Sequence, residues 1–234
     1  MIVGHRGAAA LAPENTLASI KRAADEGLNW VEIDTQLTAD GIPVLFHDET
    51  VARCTNGSGK LASFTLNELK QLDAGSWFES AFRNEKIPTL EEALQICLEK
   101  ELSINLELKI HHSFQAAPLV ESLAAVIKSF GFLFDRLLLS SFSMDALEAC
   151  QALLPEIRRG YITKDKSIDY LNQVGQLDLY SVHVDQKILN KKMAKAITDS
   201  GYELTIWTLN DPNKLAAFTQ MKVGKIITDD PTLF

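Results

Sequence analysis

Short apolar runs alternate along the chain with longer stretches of helical periodicity. Eight runs rich in β-branched or apolar residues predict strands, at residues 2–5, 30–35, 103–109, 136–141, 157–161, 179–184, 203–208 and 225–228. Between most of them, helical spacing occurs at 16–26, 90–100, 116–129, 144–153, 167–174, 188–200 and 212–219. This alternation is typical of βα units, and eight units predict a (β/α)8 TIM-type barrel of class α/β. Too few residues follow the last strand for a closing helix, so a doubly wound open sheet stays the alternative.

One connection departs from this alternation. The second predicted strand ends close to the apolar run 43–47, and residues 38–41 between them predict a tight turn rather than a crossover helix. Residues 43–47 therefore predict an extra strand, within an insertion of about residues 36–88 after the second strand. In a barrel, such an insertion lies at the carboxyl-terminal face, where active sites form. With no internal repeat or obvious linker, residues 1–234 predict a single domain.

Composition and charge narrow the class of protein. The chain has 234 residues, 46% of them hydrophobic, and a formal net charge of −8. These values indicate a globular protein and argue against binding to nucleic acid or to an anionic membrane. Three widely spaced cysteines predict neither disulfides nor a zinc site. With no apolar stretch of membrane-spanning length and no leader at its start, the chain is expected to be soluble and cytoplasmic.

Acidic side chains share one face of two predicted strands. Glu32 and Asp34 are two residues apart, and Glu107 and Lys109 have the same spacing in the next barrel strand. Alternate residues of a strand point the same way, so these side chains converge inside a barrel. Three carboxylates without cysteine favour a hard divalent cation, Mg²⁺ or Ca²⁺, over zinc. For either strand alone, a solvated antiparallel face or an internal Glu–Lys ion pair is the simpler alternative.

Two histidines and two cations accompany the acidic residues. His5 ends the first strand and His47 ends the extra one, where two imidazoles beside a metal can act as general base and general acid. Arg6 and Lys109 can bind a phosphate. Residues 13–16, Pro-Glu-Asn-Thr, lead into the first helix and suit either an anion or simple helix capping.

The ordered set of motifs resembles the glycerophosphodiester phosphodiesterase family. The matching pieces span nearly the whole chain and are HRG (5–7), PENT (13–16), ExD (32–34), HD (47–48), TNGSG (55–59), DAGSWF (73–78), ELK (107–109), WTLN (207–210) and TDDP (228–231). The resemblance implies a TIM-type barrel enzyme. Its expected reaction is hydrolysis of small glycerophosphodiesters, such as glycerophosphocholine or glycerophosphoethanolamine, to glycerol 3-phosphate and an alcohol.

The resemblance also implies roles for individual residues. It assigns one divalent cation, Mg²⁺ or Ca²⁺, to Glu32, Asp34 and Glu107. It assigns acid–base catalysis to His5 and His47, and substrate binding to Arg6, Lys109 and Trp207. One histidine, expected to be His5, would deprotonate the glycerol 2-hydroxyl for attack on phosphorus. The other would protonate the leaving alcohol, and water would then open the cyclic phosphate.

The remaining histidines and two aromatic residues carry weaker signals. No acidic motif accompanies the other three histidines, His111, His112 and His183, so they are interpreted as structural. His183 nevertheless lies on a predicted strand and can face the pocket. Trp77 and Phe78 form either an apolar rim over the site or a small separate core. The insertion has no obvious charged group that would recognise one alcohol, which suggests broad specificity.

Other activities stay open. A related barrel phosphodiesterase acting on lysophospholipids or sphingomyelin-like lipids would share the metal and the histidines. A catalytically silent barrel that binds a phosphorylated polyol would share the fold. A metal-dependent amide hydrolase is disfavoured because the first strand has no His-x-His pair of metal ligands. A glycosidase is disfavoured because its reaction would give Arg6 and Lys109 no evident role. The complete set of acid–base and ligand positions favours the diester hydrolase.

Overall fold

The observed strands and helices follow the predicted alternation. This computed structural model describes the backbone throughout and the side chains of all residues except 131–133. Within that description, the strands are β1 (Ile2–Gly4), β2 (Trp30–Leu37), β3 (Pro43–Leu45), β4 (Ser103–Leu108), β5 (Leu137–Ser141), β6 (Arg158–Thr163), β7 (Ser181–Asp185), β8 (Glu203–Trp207) and β9 (Lys225–Thr228). The α-helices are α1 (Leu17–Asp25), α2 (Leu66–Leu69), α3 (Leu90–Glu99), α4 (Ala116–Ser129), α5 (Met144–Leu153), α6 (Tyr170–Val174), α7 (Lys191–Asp199) and α8 (Leu215–Gln220).

Parallel pairing closes the sheet into a barrel. The order β1-β9-β8-β7-β6-β5-β4-β2 returns to its start because β1 pairs with both β9 and β2. The contact between β1 and β2 is made at Gly4 and Val31. This closure confirms the (β/α)8 barrel and excludes the doubly wound open sheet, which has two edge strands. A short 3₁₀ turn, Pro231–Leu233, follows β9 in place of a full helix.

The main core lies between the strands and the helices. Val31 and Ile33 of β2 are fully buried in a cluster that includes Ile20 of α1 and Leu94 of α3. A second cluster covers β7 to β9 with α7 and α8. Because the apolar residues of β2 face the helices, the alternate residues Glu32 and Asp34 face the barrel interior. The apolar packing therefore fixes the direction of the acidic side chains.

The extra strand β3 runs antiparallel to β2, as predicted. Thr35 pairs with Leu45, and Leu37 pairs with Pro43. The chain then forms 3₁₀ turns and α2 before α3 begins. This segment has its own small core, in which Val51, Leu61 and Leu69 are buried.

Three predicted helices begin three residues later than their periodicity suggests. The stretch 188–200 is helical only from Lys191, and the Asn190 side chain caps this helix. The stretch 167–174 is helical only from Tyr170, because hydrogen bonds among Asp165, Ser167 and Asp169 engage backbone amides before it. The stretch 212–219 opens as a 3₁₀ turn, which the Asp211 side chain caps, before α8. No helix among the described residues is both long and apolar enough to cross a bilayer.

Candidate active site

A pocket opens at the carboxyl-terminal ends of the barrel strands. Its cavity volume is about 120 Å³. Its walls contain seven of the eight residues proposed from sequence, namely His5, Arg6, Glu32, His47, Glu107, Lys109 and Trp207. The eighth, Asp34, is buried and forms ion pairs with Arg6 and Lys109. The structure thus brings together the residues that the sequence motifs singled out.

Three carboxylates converge inside the barrel. One oxygen each of Glu32, Asp34 and Glu107 lies within 4.8 Å of the others. Burial raises the pKa of Glu32 well above its ordinary value, and the charges of Asp34 and Glu107 raise it further. Glu32 Oε1 and Asp34 Oδ1 are buried without a hydrogen-bond partner. Unpaired buried oxygens are costly in a protein interior, so this cluster fits a divalent cation.

Two cations stand beside the carboxylates. Lys109 Nζ lies 2.6 Å from Glu107 Oε1 and 3.6 Å from Asp34 Oδ1. Arg6 Nε lies 3.4 Å from Asp34 Oδ2. Although burial acts to raise it, Lys109 and Arg6 lower the pKa of Asp34 to about 2. Asp34 is therefore ionised at neutral pH even before a metal binds.

The loop after β1 is shaped to place Arg6. Arg6 has a φ of 51°, and its backbone N–H donates to Glu32 Oε2 at 3.0 Å. Gly7 follows with a φ of 90°, and a Cβ atom there would lie 2.4 Å from Ser19 Oγ. Only glycine fits this close approach of the loop to α1. The backbone conformation and the close packing against α1 thus explain why the third residue of the HRG motif is glycine.

The PENT motif caps helix α1 and supports the site. Thr16 is the N-cap of α1 and forms a capping box with Ser19. Asn15 Nδ2 donates to Asp34 Oδ2 at 2.8 Å, while Asn15 Oδ1 accepts from the Asp34 backbone N–H at 3.0 Å. Of the two interpretations, helix capping is the one observed. Asn15 also holds the Asp34 carboxylate in place.

His5 is held by Asp229, which lies in the TDDP motif but was assigned no role from the sequence. His5 Nδ1 lies 2.5 Å from Asp229 Oδ1, and Asn210 Nδ2 donates to Asp229 Oδ2 at 2.6 Å. Burial acts to raise the pKa of Asp229, but the hydrogen bond and charge of His5 hold it below its ordinary value. His5 Nε2 points to the cluster, 3.9 Å from Glu32 Oε2. The second ring nitrogen is thus the one available to a ligand.

His47 has a matching arrangement within a larger ionic network. His47 Nδ1 lies 2.6 Å from Asp48 Oδ1, and both Asp48 oxygens accept from Arg53. Arg53 also binds both oxygens of Glu14, at 2.7 and 2.8 Å. Glu14 Oε1 accepts in turn from Arg6 Nη1 at 2.6 Å. This Arg53 network, comprising Asp48, Arg53, Glu14 and Arg6, links the two sides of the pocket.

An aromatic pair forms part of the pocket wall. Trp207 and Phe142 pack edge to face with ring centroids 5.7 Å apart. Trp207 lines the pocket, as proposed, whereas Phe142 was missed. Trp77 and Phe78 instead pack edge to face with each other in the insertion and are not among the described residues of the pocket wall. The apolar surface near the site therefore comes from barrel strands.

Several other pocket residues escaped the sequence analysis. His183 was interpreted as structural although able to face the pocket, and it lines the pocket together with Asn105, which was missed. Phe142 and Lys164 directly follow β5 and β6, and Asp229 directly follows β9. Barrel active sites are built from such positions, so the strand ends were the available signal. His112, in contrast, is exposed and contacts Glu49.

Comparisons with known proteins agree with this geometry. The family model described as "Glycerophosphoryl diester phosphodiesterase family" matches residues 5–233. A glycerophosphodiester phosphodiesterase from Caldanaerobacter subterraneus subsp. tengcongensis is 33% identical over 99% of this chain and 94% of its own length.

Solved structures show the same fold. A phosphodiesterase of Oleispira antarctica in complex with the product sn-glycerol-3-phosphate is 35% identical, with a TM-score of 0.92 over 99% of this chain and 93% of the other. A glycerophosphodiester phosphodiesterase from Agrobacterium tumefaciens is 26% identical, with a TM-score of 0.82 over 100% of this chain and 97% of the other. Because the family match covers residues 5–233, nearly the whole barrel, this chain belongs to the glycerophosphoryl diester phosphodiesterase family, whose members are phosphoric diester hydrolases.

Proposed function

We propose that the protein hydrolyses glycerophosphodiesters to glycerol 3-phosphate and an alcohol, using His5 and His47 as its acid–base pair. The observation that carries the proposal is the presence of both imidazoles in one pocket with a carboxylate cluster and two cations. Each imidazole has its Nδ1 atom hydrogen-bonded to an aspartate. Each Nε2 atom is thereby left to exchange a proton with substrate.

A single divalent cation, Mg²⁺ or Ca²⁺, fits the cluster of Glu32, Asp34 and Glu107. Together with Arg6 and Lys109, these carboxylates carry one net negative charge, which a divalent cation converts to one net positive charge. A phosphodiester carries one negative charge, so the loaded site matches its substrate. When bound, the cation supplies Lewis-acid activation of the phosphate and helps to orient the glycerol part.

The proposed reaction proceeds in two steps. In the first, His5 Nε2 accepts the proton of the glycerol 2-hydroxyl, whose oxygen forms a bond to phosphorus. The bond from phosphorus to the alcohol oxygen breaks, and His47 donates a proton to that oxygen. Water then attacks the phosphorus of the cyclic phosphate while His47 accepts its proton. The bond from phosphorus to the 2-oxygen breaks, and His5 returns a proton to that oxygen. Arg6 and Lys109 stabilise negative charge on the phosphoryl oxygens throughout.

The test is release of glycerol 3-phosphate from glycerophosphocholine, measured with Mg²⁺, with Ca²⁺ and with EDTA. We expect metal-dependent release from the wild type. His5→Ala and His47→Ala should abolish it while leaving stabilisation by the metal largely intact. A folded protein that releases no glycerol 3-phosphate with either metal would overturn the proposed reaction.

A substrate with a good leaving group separates the two histidine roles. The nitrophenyl ester of glycerol phosphate needs no proton on its leaving oxygen. We therefore expect His47→Ala to recover much of the first-step release of nitrophenolate, measured within a single turnover, and His5→Ala to recover none. Recovery by His5→Ala instead would reverse the two assignments.

A further inference from the structure

Lys164 differs from the other cations of the pocket. Arg6 and Lys109 form ion pairs with the buried carboxylates. Lys164 also lines the pocket, but among the described residues no carboxylate lies within ion-pair distance of it. The neighbouring acids Asp165 and Asp185 each accept from a backbone N–H instead. The charge of Lys164 is thus available to a ligand.

The aromatic pair positions this charge. Lys164 Nζ lies 5.1 Å from the centroid of the Trp207 ring and 5.7 Å from that of Phe142. Both distances are within the range of a cation–π contact. Without Lys164, two aromatic rings arranged in this way would suit a quaternary ammonium group. Here Lys164 already fills the position that such a group would take.

The position of Lys164 relative to the reacting groups suggests which part of a substrate it meets. The phosphate is assigned to Arg6 and Lys109, which lie against the carboxylate cluster. Lys109 Nζ is 5.9 Å from the Phe142 ring, so this ring lies near both lysines. Lys164 directly follows the carboxyl-terminal end of β6 and is exposed, whereas the side chains of Arg6 and Lys109 are mostly buried. It is therefore placed to face the outer part of a bound diester.

We infer that Lys164 is a specificity-determining residue that favours diesters with an anionic alcohol part over those with a cationic one. The inference rests on the proposed function. An anionic alcohol pairs with the free ammonium group, whereas a cationic one is repelled by it and competes with it for the aromatic rings. The broad specificity expected from the insertion is thereby narrowed by a residue outside the insertion.

Three diesters that differ in alcohol charge test the inference. Glycerophosphocholine has a cationic alcohol, glycerophosphoglycerol a neutral one, and bis(glycerophospho)glycerol an anionic one. The measured quantity is the ratio of kcat/KM for the anionic and the cationic diester. The substrates also differ in size, but this difference affects the ratio of the wild type and of each variant equally. It therefore cancels when the two ratios are compared.

Exposed charge pairs are weak, so we expect Lys164→Met to lower this ratio by about fivefold and Lys164→Glu by about twenty-fivefold. Lys164→Arg should preserve it. Lys166→Met is the matched control, because Lys166 is exposed in the same loop and does not line the pocket. Raising the salt concentration should reduce the wild-type ratio.

The possible failures are distinguishable. If the wild type hydrolyses none of the three diesters, the proposed function is wrong. If it hydrolyses them but Lys164→Met leaves the ratio unchanged, or lowers all three rates equally, the specificity role of Lys164 is wrong and the proposed reaction stands.

Discussion

The buried His183 ring should make the stability of the fold depend on pH. His183 lies on β7 with 1% of its surface exposed. Its Nε2 atom is 2.9 Å from Ser181 Oγ, and its Nδ1 atom has no hydrogen-bond partner. Burial, with a smaller effect of the Lys225 charge, lowers the pKa of His183 to about 3. The ring is therefore neutral in the folded protein throughout the neutral range.

The size of the effect follows from the two pKa values. In the unfolded chain a histidine titrates at about 6.5. Between the two pKa values the unfolded state binds one more proton than the folded state, so the free energy of unfolding falls as pH falls. The slope is about 1.4 kcal/mol per pH unit, which amounts to about 2 kcal/mol between roughly pH 6.5 and pH 4.5.

Urea unfolding of the wild type and of His183→Gln over this pH range measures the effect. Glutamine does not titrate, so the wild type should lose about 2 kcal/mol more than the variant on acidification. Any constant cost of the substitution cancels in this comparison. Parallel curves for the wild type and His183→Gln would refute the assignment of a buried, neutral ring.

Three further predictions concern the site. Asp229→Asn should lower kcat at least tenfold, with little change in KM. The reason is that His5 loses the carboxylate that fixes its Nδ1 proton, and an unchanged kcat would contradict this role. Arg53→Met should lower the free energy of unfolding by about 1 kcal/mol at low salt, and by less at high salt, because Asp48 loses its counter-charge; urea unfolding at two salt concentrations measures this. Glu32→Gln should raise the melting temperature in EDTA at alkaline pH, where the wild type must bury a charged Glu32. It should also weaken Mg²⁺ binding about tenfold or more in calorimetry, and equal Mg²⁺ affinity would contradict a ligand role.

Much of the barrel could be predicted because its signal is local. The alternation of Val31 and Ile33 with Glu32 and Asp34 fixes which side chains face inward once β2 lies in a closed sheet. The same argument applies to Glu107 on β4. Burial of the apolar face of the strands thus stabilises the barrel and also directs the carboxylates to its interior.

The partners of these residues could not be predicted in the same way. Asp229 reaches His5 across 224 positions of sequence, and Arg53 reaches Glu14 across 39. No periodicity connects residues so far apart, because only closure of the barrel brings them together. Lys164 gave no signal of its own, since an exposed lysine beside a strand is ordinary until its aromatic neighbours are known.

The pairing of β3 with β2 determines which changes the His47 segment can accept. Backbone hydrogen bonds hold this segment, since Phe46 N–H donates to the Asp34 carbonyl and Gln36 Nε2 donates to the Phe46 and Asp48 carbonyls. The position of the imidazole therefore depends on the length of the turn at residues 38–41. Insertion or deletion of one residue there would shift the pairing by one position and turn His47 to the opposite face. Among relatives with this site, the turn should keep its length.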